Sequence, residues 1–326
     1  MKDQTTKRKR KDIIAGNEVS EVVTLSLGGF DQKVLIEGKC RDLPVLITLH
    51  GGPGSPLPFS VGARGMFPEF TDRFLLVCWD QLGCGINEHE LDESFTIDSF
   101  VTMTEDLVKA MKSRFPGNKI YLFSMSWGSI LSAKLTERDP HLVDGVVAWG
   151  QIIKNLFFCD EVMETLAASG LPAKKLEHLR GVNKDNFTMK DLQLVSSSLT
   201  KYTNAYRDKT GPKTPIMPFV IGLATSPDYS MKALKATVSN SYSRDISLWK
   251  EIFELDLSEA LARVKVPYHI LDGTSDVVAS VKTAEELVEK SNNRLLDLET
   301  VEHSGHLSGT LAMERIFEAL CKMAEQ

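Results

Sequence analysis

The stretch Lys119-Ile-Tyr-Leu-Phe-Ser-Met-Ser-Trp-Gly-Ser-Ile-Leu131 passes from a β-branched and aromatic run into a helical pattern through a cluster of small residues, with Ser126 at the bend. A strand that turns this sharply into a helix brings the two elements almost into contact, so small residues are needed two places before and two places after the apex. Ser124 and Gly128 hold those places. The apex residue is strained and held out of the turn, which suits a nucleophile. The pattern is S-x-S-x-G rather than G-x-S-x-G, so Ser124 adds a side chain at the tightest point. The same letters also allow a plain helix N-cap at Ser126 or Ser129. Partners elsewhere in the chain must decide.

Upstream of this turn, Ser20 to Leu27 and Gln32 to Glu37 read as a hairpin joined through Gly28-Gly29-Phe30-Asp31. Leu43 to His50 and Phe74 to Trp79 are short apolar runs, as expected for strands buried on both faces. Each ends in a glycine-rich loop, His50-Gly-Gly-Pro-Gly54 and Asp80-Gln-Leu-Gly-Cys-Gly85. A loop with so little side chain can aim backbone N–H groups at a ligand, or can be a simple turn. Thr96 to Arg114 has helical periodicity, and a further helix from Trp127 must stop before Pro140. Leu142 to Trp149 is another strand, and the same alternation returns from Val266 to the end. Strands alternating with helices of this length predict a mostly parallel sheet covered by helices on both faces. Residues 151–260 are helical in pattern with hardly a strand, and read as an inserted helical lid between core segments 20–150 and 261–326.

The chain has 326 residues, 42% of them apolar and 25% charged, with a net charge of −6, so a large core is possible and nucleic acid is not an expected partner. The basic run Lys7 to Lys11 lies in residues 1–19, expected to be a solvated, disordered tail. No apolar segment of signal type follows it, and nowhere do about 18 apolar residues run together, so a cytoplasmic protein without membrane partners is expected. Five cysteines without a C-x-x-C pair are expected to be free thiols, with Cys84 buried or incidental. Seven scattered histidines give no metal spacing, and no metal or cofactor is expected.

Ligands of a parallel sheet gather beyond the carboxyl ends of its strands, so the loops after each strand carry the candidates. A serine hydroxyl needs an imidazole to take its proton, and the imidazole needs a carboxylate to fix its tautomer. Gly273-Thr-Ser-Asp276 offers Asp276, with Asp272 as rival at the strand end, and Glu302-His-Ser-Gly-His306 offers His306, with His303 as rival. The order Ser, Asp, His along the chain is that of the α/β-hydrolases.

The motifs H-G-G-P-G at 50–54, D-Q-L-G-C-G at 80–85, S-W-G-S at 126–129, S-P-D-Y at 226–229, Gly273 to Asp276 and Gly305-His306 together resemble the proline iminopeptidase branch of the α/β-hydrolase superfamily, over residues 20–326. The resemblance implies a nucleophile at Ser126, a base at His306 and an acid at Asp276. It also implies an oxyanion hole made of the backbone N–H groups of Trp127 and Gly52. Three positions depart from the branch: Ser124 in place of Gly, Leu82 in place of the usual Arg, and Val277 where some aminopeptidases carry a carboxylate. Such aminopeptidases hold the substrate's amino group with lid carboxylates, and none of Asp228, Asp245, Glu251 or Glu254 matches that role. An unpaired buried ammonium costs several kcal/mol. The sequence therefore favours a serine hydrolase of bulky apolar esters or lactones, a macrolide-type lactone included. A proline iminopeptidase-like activity on short peptides is the alternative, and a non-catalytic ligand-binding relative a further one. His50, Gly51, Phe157 and Trp249 are the candidates for contacting substrate.

Overall fold

A computed structural model describes residues 10–212, 217–240, 242, 246–307 and 309–326. The hairpin comes first, as β1 (Val19–Leu27) and β2 (Phe30–Gly38). Its turn is tighter than the sequence suggests, because Leu27 pairs with Phe30 across Gly28-Gly29, both at positive φ. The buried runs become β3 (Val45–Leu49), β4 (Leu75–Trp79), β5 (Ile120–Met125), β6 (Gly145–Trp149), β7 (Tyr268–Gly273) and β8 (Leu296–Val301). They join in one sheet of order β1-β2-β4-β3-β5-β6-β7-β8. Pairing from β4 through β8 is parallel, and β2 alone runs the other way, antiparallel to both β1 and β4.

Alternation along each strand explains why the runs are apolar throughout. Val34, Ile36, Ile47 and Val77 face one core, where α3 (Ile97–Arg114), α4 (Trp127–Arg138) and α12 (Val281–Ser291) bury Phe100, Leu107, Ile130 and Ala284. Leu35, Leu46, Leu76 and Val147 face the opposite core, filled by Phe70 of α2 (Phe70–Arg73) and by Ile316 and Leu320 of α13 (Thr310–Ala324). Both faces are therefore removed from water, as in other parallel sheets. Among the described residues, no helix is long and apolar enough to cross a membrane.

The chain is ordered earlier than the expected tail of 1–19 allows. Arg10–Gly16 forms α1 and buries Ile13, while the Arg10 guanidinium donates to the carbonyl and hydroxyl oxygens of Thr225. An apolar side chain with a place in the core outweighs the charge of the run. Residues 1–9, with most of the basic stretch, lie outside the described residues.

Between β6 and β7 the described residues form helices and no strand: α5 (Asp160–Ala168), α6 (Ala173–Arg180), α7 (Met189–Tyr202), α8 (Met217–Ala224), α9 (Met231–Val238), α10 (Ile246–Glu254) and α11 (Ser258–Ala262). An aromatic group holds part of this insertion together, with Phe187 edge-on to Phe253 at 4.8 Å and Phe158 at 5.5 Å from Phe253. Polar side-chain contacts fasten it to the sheet domain, two of them at Asp80 and Arg64. The Tyr229 hydroxyl donates to Asp80 Oδ2 at 2.7 Å, and Asp228 lies 3.5 Å from the Arg64 guanidinium, which also binds Glu37 at 2.5 Å.

Candidate active site

At the end of β5 the backbone turns into α4 through Ser126, whose φ of 49° and ψ of −118° are strained for a residue with a side chain. Gly128 is required there, since a Cβ would lie 2.2 Å from the Leu49 carbonyl oxygen. Ser124 fits where a glycine was expected because its hydroxyl has partners. It shares a hydrogen bond of 2.9 Å with Ser132, which in turn meets the Tyr268 hydroxyl at 3.0 Å. Tyr268 lies on β7, and its hydroxyl donates to Gln151 Oε1 at 2.6 Å. No local sequence signal joins these residues, which come from four separate segments.

Three strand ends bring the expected triad together. His306 Nε2 lies 2.8 Å from Ser126 Oγ, and its Nδ1 lies 2.7 Å from Asp276 Oδ2. The carboxylate accepts from Nδ1–H, so Nε2 is left to accept from the serine hydroxyl. Asp276 Oδ1 is held by the backbone N–H groups of Val278 at 2.7 Å and Ala279 at 3.0 Å. Both Asp276 and His306 are buried. Trp127 is the first residue of α4, where backbone N–H groups have no partner within the helix. Gly51 packs against the turn, as a Cβ there would stand 3.2 Å from Ser126 Cβ.

The histidine loop is braced from the insertion. His306 N–H donates to the Ala205 carbonyl at 2.7 Å, Leu307 N–H donates to that of Tyr206 at 2.8 Å, and the Tyr206 ring stands edge-on to the imidazole. Gly305 permits this approach, because a Cβ would lie 2.5 Å from the Asn204 carbonyl oxygen. Residues 204–206 carry no motif and were missed from sequence. The Trp149 indole adds a bond of 2.8 Å to the His306 carbonyl.

The α/β-hydrolase fold family model matches residues 44–310. This chain belongs to that family. It is 23% identical to the probable aminopeptidase YbaC of Bacillus subtilis over 308 residues, covering 87% of this chain and 90% of the relative. It is 22% identical to a proline iminopeptidase of Lactobacillus helveticus, covering 86% and 89%. These relatives support a proline iminopeptidase-like branch of the family. Among solved structures it shares its fold with Mycobacterium smegmatis proline iminopeptidase (TM-score 0.66, 17% identity, 94% and 98% covered) and with VinJ (0.64, 18%, 94% and 99%).

Within this α/β-hydrolase, the rival residues are placed differently from His306 and Asp276. His303 is exposed and pairs through Nδ1 with the Thr210 hydroxyl at 2.9 Å. Asp272 is fully buried with neither carboxyl oxygen hydrogen-bonded. Burial, and then the charge of Asp276, push its pKa well up.

Two of the expected substrate contacts, His50 and Phe157, are placed away from the open space at Ser126. His50 is inside the loop structure, with Nε2 accepting from Gln81 N–H at 3.0 Å and Nδ1 bonded to the Gly51 carbonyl at 2.9 Å, and burial lowers its pKa to about 4. Both ring nitrogens are thus used by the protein. Phe157 does not border the cavity at Ser126, but stands behind Trp249 with ring centres 6.4 Å apart. Trp249 does border it, together with Gly52, Pro53, Trp127, Ile130, Ile152, Leu156 and Ile252, around a space of ≈ 10 Å³. A larger cavity of ≈ 290 Å³ lies beside the hairpin among Phe30, Lys33, Leu82 and His89, but no triad residue borders it. The cysteines are free, and burial pushes the Cys84 thiol well above its usual pKa, which suppresses the reactive thiolate.

Proposed function

We propose that this chain is a serine hydrolase that removes N-terminal residues from short peptides through an acyl-enzyme. The continuous hydrogen-bonded chain from Asp276 through His306 to Ser126 carries the reading. Ser126 Oγ attacks the carbonyl carbon while His306 Nε2 takes its proton, and Asp276 stabilises the imidazolium so formed. The N–H groups of Trp127 and Gly52 receive the charge that develops on the carbonyl oxygen. His306 then returns the proton to the leaving amine, whose bond to carbon breaks. Water, deprotonated by the same nitrogen, attacks the acyl-enzyme and releases the acid. Residues 151–260 act as a lid between core segments 20–150 and 261–326, with Leu156, Trp249 and Ile252 forming the roof of the acyl pocket.

The names of the relatives support the peptide reading, and reverse the order in which the sequence alone ranked it against ester hydrolysis. The carboxylates considered for the amino group are otherwise placed. Asp228 meets Arg64, Glu251 accepts from Ile97 N–H at 2.8 Å, Glu254 lies 3.7 Å from Lys184, and Asp245 is outside the described residues. The apolar side chains around the cavity at Ser126 favour a second reading, hydrolysis of an apolar ester or lactone. The two are separated by kcat/KM on prolyl and alanyl naphthylamides, on their N-acetylated forms, and on aryl esters and macrolactones. The peptide reading requires amide cleavage that acetylation abolishes. Preference for esters, whatever the state of the amine, would replace it with the second. In either case Ser126→Ala should remove about 10⁶ of kcat, and an active Ser126→Ala protein would end the serine-hydrolase reading.

A further inference from the structure

We infer that Gln81 is a positioning residue that holds the two halves of the oxyanion hole in register, an inference that rests on the serine-hydrolase reading above. The two N–H donors come from segments far apart in the chain, one after β3 and one after β5. Gln81 follows β4 and is completely buried. Its side chain spans both segments, with Oε1 accepting from the Trp127 indole at 2.7 Å and Nε2 donating to the His50 carbonyl at 3.2 Å. An amide suits this place because it offers an acceptor and a donor on one rigid plane.

A second contact works through the imidazole. Gln81 N–H donates to His50 Nε2 at 3.0 Å, so the ring proton must sit on Nδ1, where it donates to the Gly51 carbonyl at 2.9 Å. The Gly51 carbonyl and the Gly52 N–H belong to one planar trans peptide and point in opposite directions. Fixing the carbonyl toward the imidazole therefore fixes the direction of the Gly52 N–H. Ser55 N–H donates to the same carbonyl at 3.1 Å and acts in the same sense. Gly52, with φ of 123°, has no room for a Cβ, which would stand 2.5 Å from Gly54 N, so the peptide is confined on its other side as well.

The contribution appears in the transition state, when charge reaches the carbonyl oxygen, and hardly in ground-state binding. Gln81→Met removes both side-chain bonds at similar length and keeps the backbone N–H. Its kcat should fall roughly 10- to 100-fold, somewhat less than the loss of a whole oxyanion donor, with KM within about threefold. Inhibition by phenylboronic acid, which is bound as a tetrahedral adduct, should weaken in parallel with kcat. Gln81→Glu keeps the acceptor for the Trp127 indole but loses the donor, and should recover part of the kcat lost in Gln81→Met. If Gln81→Met fails to give a cooperative melt, Gln81→Glu and Trp127→Phe, each lacking one of the two side-chain bonds, carry the same measurement. An unchanged kcat, or a loss expressed in KM with boronate binding unaltered, would overturn the inference. Fluorophosphonate labelling of Ser126 in the unmutated protein tests the underlying reading separately, and failure to label would remove both.

Discussion

Asp80 shows how one residue can set a pH dependence. It is buried, it accepts from the Tyr229 hydroxyl and from Ile86 N–H, and burial raises its pKa to about 7. An unfolded aspartate titrates near 4. Between these values the unfolded chain releases a proton that the folded chain retains, so the contribution of Asp80 to stability is full below about pH 4 and is lost as pH rises to about 7. The shift of roughly three units corresponds to about 4 kcal/mol. Asp80→Asn keeps an acceptor for Tyr229 and cannot ionise. Urea titrations from pH 4 to 8 should show a smaller decline in the variant, and equal slopes would refute the assignment. The residues proposed as a triad were readable from sequence because each follows a strand and stands in a recognisable motif. The partners around them were not: Gln151, Ala205 and Tyr206 are defined only by where the folded chain passes, and a histidine in a glycine loop, such as His50, gives no sign that both its nitrogens have internal partners.

At the scale of elements, the strand-to-helix turn at Ser126 tolerates a departure at one flank and none at the other. Ser124 is accommodated by the hydroxyls of Ser132 and Tyr268, whereas Gly128 faces the Leu49 carbonyl directly. Ser124→Gly should therefore lower stability by about 1 kcal/mol, the net value of one buried hydrogen bond, and leave kcat within about twofold. A stabilised Ser124→Gly protein would show that the serine is a strained compromise. Gly128→Ala, in contrast, should yield little folded protein on expression. The strands themselves were legible because burial on both faces writes a continuous apolar run. Their ends moved by one to three residues, as at the hairpin, where Phe30 and Asp31 belong to the strand and leave a two-residue turn.

In the whole molecule, the sheet domain and the helical insertion cannot be treated as separable parts. The sequence alone leads to the expectation that loss of the insertion affects substrate selection more than folding of the sheet domain. The backbone bonds from His306 and Leu307 to Ala205 and Tyr206 give a different expectation. Replacing residues 155–255 by a short linker should abolish hydrolysis of even a small aryl ester, because the imidazole loses its brace, while far-UV circular dichroism still reports the sheet. Ester activity near that of the full chain would show that the brace is dispensable. The contact also sets a rule for anyone building chimaeras. Walls such as Trp249 and Ile252 can be exchanged to alter selectivity, but a transplanted insertion must arrive with a backbone segment that reproduces the carbonyls of 205 and 206, or the graft will deliver a new pocket to a histidine that no longer faces it.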